Sequence, residues 1–159
     1  MMQLTRPGRL VLALFALVFL AGAPSLAVLE MVGKSGRPIS AKPEKGVRVV
    51  SLKDGLKYQD LLVGKGPHPK AGQTVTVAYV GMLQNGMVFD ASARHGHPLS
   101  FVLGRAPVIK GWDEGLRTMR VGGERKLFVP PSLGYGSAGA GPIPPNATLV
   151  FTIDLLKVR

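Results

Sequence analysis

Few of the residue types that usually carry out chemistry occur in this sequence in a reactive arrangement. Its 159 residues include no cysteine, which excludes disulfides, thiolate metal sites and cysteine nucleophiles. His95 and His97 lie close together without a His–Glu pair beside them, so solvated loop histidines are favoured over a metal site. No Gly-x-Ser-x-Gly turn is present to expose a serine nucleophile. The sequence therefore predicts neither a metal centre nor covalent catalysis.

The segment from Gly134 to Gly139 has the G-x-G-x-x-G spacing of a nucleotide-binding loop. That pattern binds phosphates only where it joins a strand to a helix. Here Pro130 and Pro131 precede it and several prolines follow it, so a helix cannot begin at this point. An irregular loop is therefore favoured over nucleotide binding.

The chain is basic, with a formal charge of +11, but its lysines and arginines are scattered along the sequence. Nucleic-acid binding would favour aromatic residues interleaved with a basic stripe, whereas the aromatic residues here alternate with apolar ones. A solvated basic surface is the simpler interpretation, and no nucleic-acid partner is predicted. Binding to an anionic surface stays open as an alternative that rests on charge alone.

A group of aromatic and aliphatic residues with a few polar tips is the remaining place for function. An ordinary hydrophobic core is the simpler interpretation of most of them. Two features favour a ligand pocket, because Phe89, Asp90 and Tyr135 adjoin loops and Trp112 begins a helix rather than filling its middle. The group comprises Tyr79, Phe89, Asp90, Phe101, Val108, Ile109, Trp112, Tyr135 and Phe151.

The only tryptophan belongs to the stretch with the clearest helical pattern outside the N-terminus. Ile109, Trp112, Leu116 and Met119 are spaced so that they share one face of a short helix. Acidic residues follow its start and basic residues accompany its end, as the helix dipole favours. A short helix that begins near Ile109 to Trp112 and ends near Arg120, before Gly122-Gly123, is therefore predicted.

Most of the other segments alternate apolar and polar residues, as half-buried β-strands do. Asn85-Gly86 between two such segments predicts a tight hairpin, because both residues tolerate positive φ angles. One short helix among hairpin-linked strands indicates an antiparallel α+β fold. The expected strands are 56–63, 73–83, 88–90, 99–103, 125–129 and 148–158, with a further edge strand considered at 47–50.

The N-terminal residues have the composition of a secretory signal peptide. A basic start is followed by an almost continuous apolar run, and Ser25-Leu26-Ala27 supplies small residues for cleavage before Val28. An uncleaved anchor in the inner membrane is the alternative, and in either case the rest of the chain is expected in the periplasm or outside the cell. We expect a signal peptide at 1–27, a linker at 28–53 and one folded domain at 54–159.

Several blocks of the expected domain together resemble a known family, the FKBP-type peptidyl-prolyl cis-trans isomerases. The resemblance covers roughly Leu56 to Val158 and is specific, because the blocks follow one order at compatible spacing. It points to a secreted bacterial member with a single such domain. The blocks are Val77-Ala78-Tyr79-Val80-Gly81, Gly86-Met87-Val88-Phe89-Asp90, Phe101-Val102-Leu103-Gly104, Val108-Ile109-Lys110-Gly111-Trp112, Leu133-Gly134-Tyr135-Gly136 and Ile143-Pro144-Pro145-Asn146-Ala147-Thr148-Leu149.

The resemblance implies an antiparallel sheet of five or six strands curled around one short helix, with a pocket between them. It also implies an isomerase that needs no cofactor, acts on X-Pro bonds of polypeptides and is inhibited by macrolide immunosuppressants. The catalytic positions carried over are Asp90 beside the rotating imide, the hydroxyl of Tyr135, and Trp112 as the pocket floor. The positions carried over for substrate binding are Tyr79, Phe89, Leu99, Phe101, Val108, Ile109, Ile143 and Phe151.

Three features depart from the pattern of relatives. His95, with Arg94 beside it, stands where an arginine is common, and we expect a solvated side chain with little influence on activity. Leu99 replaces a common pocket phenylalanine, and the loop Ala138–Pro142 is short. These departures bear on substrate preference and inhibitor affinity rather than on the reaction. A chaperone-like module that binds proline-containing clients with little turnover is the alternative function.

Overall fold

The computed structural model describes residues 33–105 and 107–159, which form one antiparallel sheet and one α-helix. The predicted signal peptide at 1–27 lies outside these residues. The elements are β1 (Val50–Ser51), β2 (Lys57–Leu62), β3 (Thr74–Leu83), β4 (Val88–Ala91), β5 (Leu99–Val102), α1 (Lys110–Arg117), β6 (Glu124–Val129) and β7 (Leu149–Val158). The strand order is β1-β2-β6-β7-β3-β4, and β5 also pairs with β3. No helix within 33–105 or 107–159 is long and apolar enough to cross a membrane.

The sheet has seven strands, so the expectation of five or six was too low, although the fold class is the one predicted. The length of β3 explains one part of the difference. Residues 74–77 of β3 pair with β5, residues 80–82 pair with β4, and its other edge pairs with β7 throughout. The two-residue strand β1 adds an outer edge beside β2.

In β3 and β7 the residues that the sequence alternation placed on the inward face do belong to the main core. Val75, Val77 and Tyr79 of β3 belong to the main hydrophobic core. Phe128 on β6 faces the other way and is only partly buried, while its neighbours Leu127 and Val129 are fully buried. The inner faces of β3, β6 and β7 therefore form a continuous apolar surface, against which the helix packs.

Helix α1 lies very close to the inner face of the sheet. A Cβ atom added to Gly111 would lie 2.6 Å from a methyl group of Val129, and one added to Gly115 would lie 2.7 Å from Leu127. Only glycine fits at such separations, so these two residues set the distance between helix and sheet. Trp112 and Leu116 on the same helix are buried.

The helix is shorter than its apolar pattern predicted. It begins at Lys110, because Ile109 before it is extended with φ −65° and ψ 148°, and it ends at Arg117. Met119 is buried in the core from the turn that follows the helix. The buried guanidinium of Arg125 holds this end of α1 to the sheet by donating to the Gly115 carbonyl at 2.6 Å while pairing with Asp60.

Residues 33–49, which we call the strap, lie across the outer face of the sheet. Ile39 and Ala41 of the strap pack against Val80, Met82 and Ala91. The described part of the segment that we interpreted as a linker is thus laid against the folded domain. Its charged and proline-rich sequence has no period because the strap is held by individual contacts rather than by regular structure.

Polar side chains of the sheet are buried beneath the strap. Lys126 on β6 is completely buried, and its Nζ donates to the Lys42 carbonyl at 2.8 Å and pairs with the Glu44 carboxylate. Gln59 on β2 is also completely buried and donates to the Glu44 and Val47 carbonyls. Buried polar groups need hydrogen-bond partners, and Lys126 and Gln59 have these partners only while the strap is in place.

Candidate active site

A cavity of about 130 Å³ opens between the start of α1, the inner face of the sheet and two loops. Strands β3, β4, β5 and β7 contribute to its walls, and the loops before α1 and after β6 contribute to its rim. The residues that line it are Tyr79, Phe89, Asp90, Leu99, Pro107, Val108, Ile109, Trp112, Tyr135 and Phe151. Its surface is therefore mainly aromatic and aliphatic, as in most small-ligand sites.

Trp112 forms the centre of the aromatic wall and is only 4% exposed. Its ring meets Tyr79 at a centroid distance of 4.9 Å and Phe151 at 5.3 Å, both edge to face. Phe101 lies 5.9 Å away in a tilted arrangement. Edge-to-face pairs are favoured by the charge distribution of aromatic rings, so each ring helps to fix the others.

A glycine in β3 makes room for two of these rings. Phe89 and Phe151 meet edge to face at 5.6 Å, and both press on Gly81. A Cβ atom at that position would lie 2.8 Å from carbon atoms of both rings. The strand thus offers a flat platform on which the aromatic side chains reach the cavity.

Hydrogen bonds to both oxygens hold the carboxylate of Asp90 in place. Tyr79 donates its hydroxyl to Oδ2 at 2.6 Å, and the Ala91 N–H donates to Oδ1 at 2.8 Å. His95 places its Nε2 2.9 Å from the same Oδ1. Partial burial alone would raise the pKa of Asp90, but the hydrogen bonds from Tyr79, His95 and the Ala91 N–H outweigh it and lower the pKa. Asp90 is therefore an anion held in one orientation at the cavity wall.

Tyr79 remains a hydrogen-bond donor throughout the physiological range. Burial, together with the hydrogen bond to Asp90 and the negative charge of that carboxylate, raises the pKa of Tyr79 above its ordinary value of 10.0. The hydroxyl proton is thus committed to Asp90 rather than available for transfer. Tyr79 has a structural role in orienting the carboxylate as well as a place in the aromatic wall.

His95 is less free than its place in a loop suggested. Its side chain is 54% exposed, in keeping with the predicted contact with solvent, yet it also bonds to Asp90. A short 3₁₀ turn at Ser92–His95 brings it back towards β4, and Arg94 stabilises that turn by donating to the Phe89 carbonyl at 3.1 Å. His97 bonds to the neighbouring Pro98 carbonyl instead.

Two donors at the rim have no hydrogen-bond acceptor within residues 33–105 and 107–159 and face a possible ligand. Tyr135 is 42% exposed, and its hydroxyl makes no hydrogen bond within the described residues. The backbone N–H of Ile109 precedes the first turn of α1 and has no acceptor among the described residues. A helix start has backbone donors without partners, which suits it to receive a carbonyl oxygen.

The structure brings together most of the residues predicted from the sequence. Phe101 and Ile143 are the exceptions, since neither lines the cavity. Phe101 supports Trp112 from the core, and Ile143 is buried where its loop forms a bridge to Ala140. Pro107 lines the cavity but was not singled out. Its position directly before the Val108-Ile109 pair was the available signal.

A second cavity of about 100 Å³ has a different character. It is lined by Asp60, His68, Arg120 and Arg125 among others, and it contains no aromatic ring apart from His68. Its polar groups serve the fold, because Asp60 pairs with Arg125 and His68 bonds to the Met119 carbonyl. Within the described residues no three His, Asp or Glu side chains are arranged to hold a metal. The aromatic cavity is therefore the candidate site.

Known proteins are similar to this chain in sequence and in fold. The sequence model described as FKBP-type peptidyl-prolyl cis-trans isomerase matches residues 66–156. FK506-binding protein 4 of Dictyostelium discoideum is 52% identical over 110 residues, which are 69% of this chain and 30% of that protein. The FKBP-type peptidyl-prolyl cis-trans isomerase FkpA of Escherichia coli is 50% identical over 130 residues, covering 82% of this chain and 46% of FkpA. This chain thus spans less than half the length of either relative.

Solved structures agree with these relatives. The crystal structure of FkpA from Escherichia coli superimposes with a TM-score of 0.67 at 50% identity, covering 73% of this chain and 53% of that one. The crystal structure of AtFKBP13 also gives a TM-score of 0.67, at 40% identity, and covers 70% of this chain and 99% of that one. The family match, the shared fold and the aromatic cavity together show that this chain belongs to the FKBP-type peptidyl-prolyl cis-trans isomerase family.

Proposed function

We propose that this protein accelerates the cis–trans isomerisation of X-Pro bonds in polypeptides by non-covalent binding in the aromatic cavity. The observation that carries the proposal is the cluster of aromatic rings formed by Tyr79, Trp112 and Phe151 in the cavity wall. The carboxylate of Asp90 is held beside these rings by the Tyr79 hydroxyl. A proline ring is apolar and compact, so an aromatic floor suits it. The family to which the chain belongs supports the same activity.

The chemistry of the reaction fits a site without a nucleophile. Rotation about a peptide bond has a barrier of roughly 18–20 kcal/mol, because the partial double bond is lost in the twisted state. The carbonyl is less polar in that state, so a cavity poor in water favours it over the planar, hydrated amide. The Ile109 N–H and the Tyr135 hydroxyl would hold substrate carbonyls, and Asp90 would lie beside the rotating imide.

The proposal is tested with the purified protein in a protease-coupled assay on short X-Pro peptides. We expect a rate increase over the uncatalysed reaction, with a preference for a bulky apolar residue before proline. Macrolide immunosuppressants should reduce this rate by occupying the same cavity. A well-folded sample that binds proline-containing peptides without accelerating them would contradict the proposal and support the chaperone-like alternative.

Replacing Tyr135 by phenylalanine should lower activity up to about tenfold with little change in stability. The substitution removes one exposed hydroxyl that no other described residue uses, and one net hydrogen bond is worth roughly 0.5–1.5 kcal/mol. Catalytic efficiency and urea unfolding of the variant and the wild type measure the two effects. A large loss of stability would instead assign the hydroxyl a structural role.

Activity should change less than about twofold between about pH 6 and 8, although histidine side chains change charge in this range. A neutral imidazole protonated at Nε2 donates to Asp90 as a charged one does, and the added charge is screened because both side chains are more than a third exposed. The measurement is catalytic efficiency against pH at constant ionic strength. A sigmoidal profile that disappears in His95→Gln would contradict this expectation and make His95 a residue of the site.

We also propose that the protein works outside the cytoplasm. The support is the sequence pattern of residues 1–27, with its basic start, apolar run and small residues before Val28. Fractionation of expressing cells followed by N-terminal sequencing distinguishes a cleaved signal peptide from a retained anchor. Recovery of the intact chain in the cytoplasm would contradict both.

A further inference from the structure

Two carboxyl groups lie opposite each other on the outer face of the sheet, under the beginning of the strap. Glu124 on β6 and Asp154 on β7 are direct cross-strand partners, so their side chains project from the same face. Glu124 is completely buried, and Oδ1 of Asp154 is buried without a hydrogen-bond partner within the described residues. Neither carboxyl group takes part in an ion pair with another described residue.

The first turn of the strap rests directly on Glu124. The backbone N–H of Ser35 donates to Oε2 at 2.5 Å and its hydroxyl donates to Oε1 at 3.0 Å. Gly33 lies against the same carboxylate, which would have to move if this residue carried a Cβ atom. Docking of this turn therefore brings backbone against Glu124, directly beside the buried Oδ1 of Asp154.

The charged groups around Asp154 oppose its ionisation more than they favour it. Glu124 faces it from β6 with a like charge, while Lys34 of the strap is the nearby positive group. Lys34 is exposed and donates to the Gly122 carbonyl at 3.1 Å. Lys126 on β6 is engaged by Glu44, and β3 presents only Ala78 opposite Asp154. Burial first, and the charge of Glu124 second, raise the pKa of Asp154 from 3.8 to about 6.

We propose that Asp154 is a proton-sensitive latch for the start of the strap: its neutral form keeps residues 33–37 docked on Glu124, and its ionised form loosens them. A docked state that raises the pKa of a carboxyl group binds the proton more tightly than the undocked state. The stabilisation is therefore complete below the ordinary value of 3.8 and is lost as the pH rises through about 6. The latch is separate from the aromatic cavity and does not rest on the proposed activity.

Amide hydrogen exchange of the full chain between about pH 5 and 8 tests the latch. The probes are the N–H groups of Ser35, bonded to Glu124, and of Gly36, bonded to the Gly33 carbonyl. After correction for intrinsic exchange rates, we expect their protection to fall by about tenfold across this range. The reason is that the pKa of Asp154, about 6, lies one unit above the lower limit of pH 5, and one pKa unit corresponds to a tenfold change in the equilibrium. Asp154→Asn mimics the neutral form and should keep protection constant.

Two further variants complete the test. Glu124→Gln retains an acceptor for Ser35 but removes the like charge, so protection should fall less steeply with pH than in the wild type. Glu114→Gln removes a partly buried carboxylate from α1, on the opposite face of the sheet from the strap, and should leave the wild-type dependence unchanged. Protection that is constant with pH in the wild type, or that still falls in Asp154→Asn, would overturn the proposal. If Asp154→Asn does not fold, an unaltered pH dependence in Glu124→Gln would overturn it equally.

Discussion

Replacing Trp112 by alanine is expected to destabilise the protein by about 3–5 kcal/mol and to abolish measurable isomerase activity. The indole is almost fully buried and touches Tyr79, Phe101 and Phe151, so its removal leaves a void that these rings cannot fill without losing their arrangement. Urea unfolding gives the change in stability, and the protease-coupled assay gives the rate.

A second substitution separates the two effects of the tryptophan. Trp112→Phe keeps an aromatic ring in the floor and should retain part of both stability and activity, because the contacts with Tyr79 and Phe151 persist in reduced form. As a control for loss of aromatic volume, Phe128→Ala removes a partly exposed ring from the other face of the sheet. An active, stable Trp112→Ala protein would show that the floor of the cavity is elsewhere.

Replacing Glu44 by alanine is expected to reduce the free energy of unfolding by about 3 kcal/mol, although Glu44 lies far from the cavity in sequence and outside the matched family domain. The substitution leaves the fully buried Lys126 without a counter-charge. The Lys42 carbonyl and the Ser40 hydroxyl still accept from its Nζ, which places the loss at the lower end of the range for a broken buried pair.

The double variant Glu44→Leu, Lys126→Met is the matched control, because it removes both charges while keeping apolar volume. It should recover most of the stability, as replaced buried pairs often do. For the same reason the fragment Asp54–Arg159, the domain expected from the sequence, should be less stable than one that retains the strap. A loss below about 1 kcal/mol in Glu44→Ala would show that Lys126 does not depend on the strap.

The sequence predicted the inner face of the sheet and the cavity better than it predicted the strap on the outer face. Val75, Val77 and Tyr79 alternate, so their shared face follows from strand geometry, and the cavity walls follow from that face together with the helical position of Trp112. The helix ends were placed less well, since an apolar residue such as Met119 continues the pattern from a turn as easily as from a helix. Local periodicity carries information only about regular elements.

The strap and the contact of His95 with Asp90 could not be read from periodicity. Lys126 and Glu44 are 82 residues apart and belong to segments of different type, so nothing local connects them. His95 reaches Asp90 because a single 3₁₀ turn reverses the chain after β4, and such a turn has no strong composition signal. In both cases a polar side chain is positioned by tertiary packing, which a single sequence reports only weakly.

The position of β7 has a consequence for how the chain can assemble. This strand follows the other described strands along the chain, yet it lies in the middle of the sheet between β6 and β3 and pairs with both. Until residues 149–158 have been made, β3 and β6 have no common neighbour, and each has an unpaired edge. Contacts between distant parts of a chain form slowly because the intervening loop must first be closed. A growing chain of this topology therefore cannot complete the centre of its sheet before β7 has been made, and the cavity, which needs Phe151, forms only after this strand is inserted.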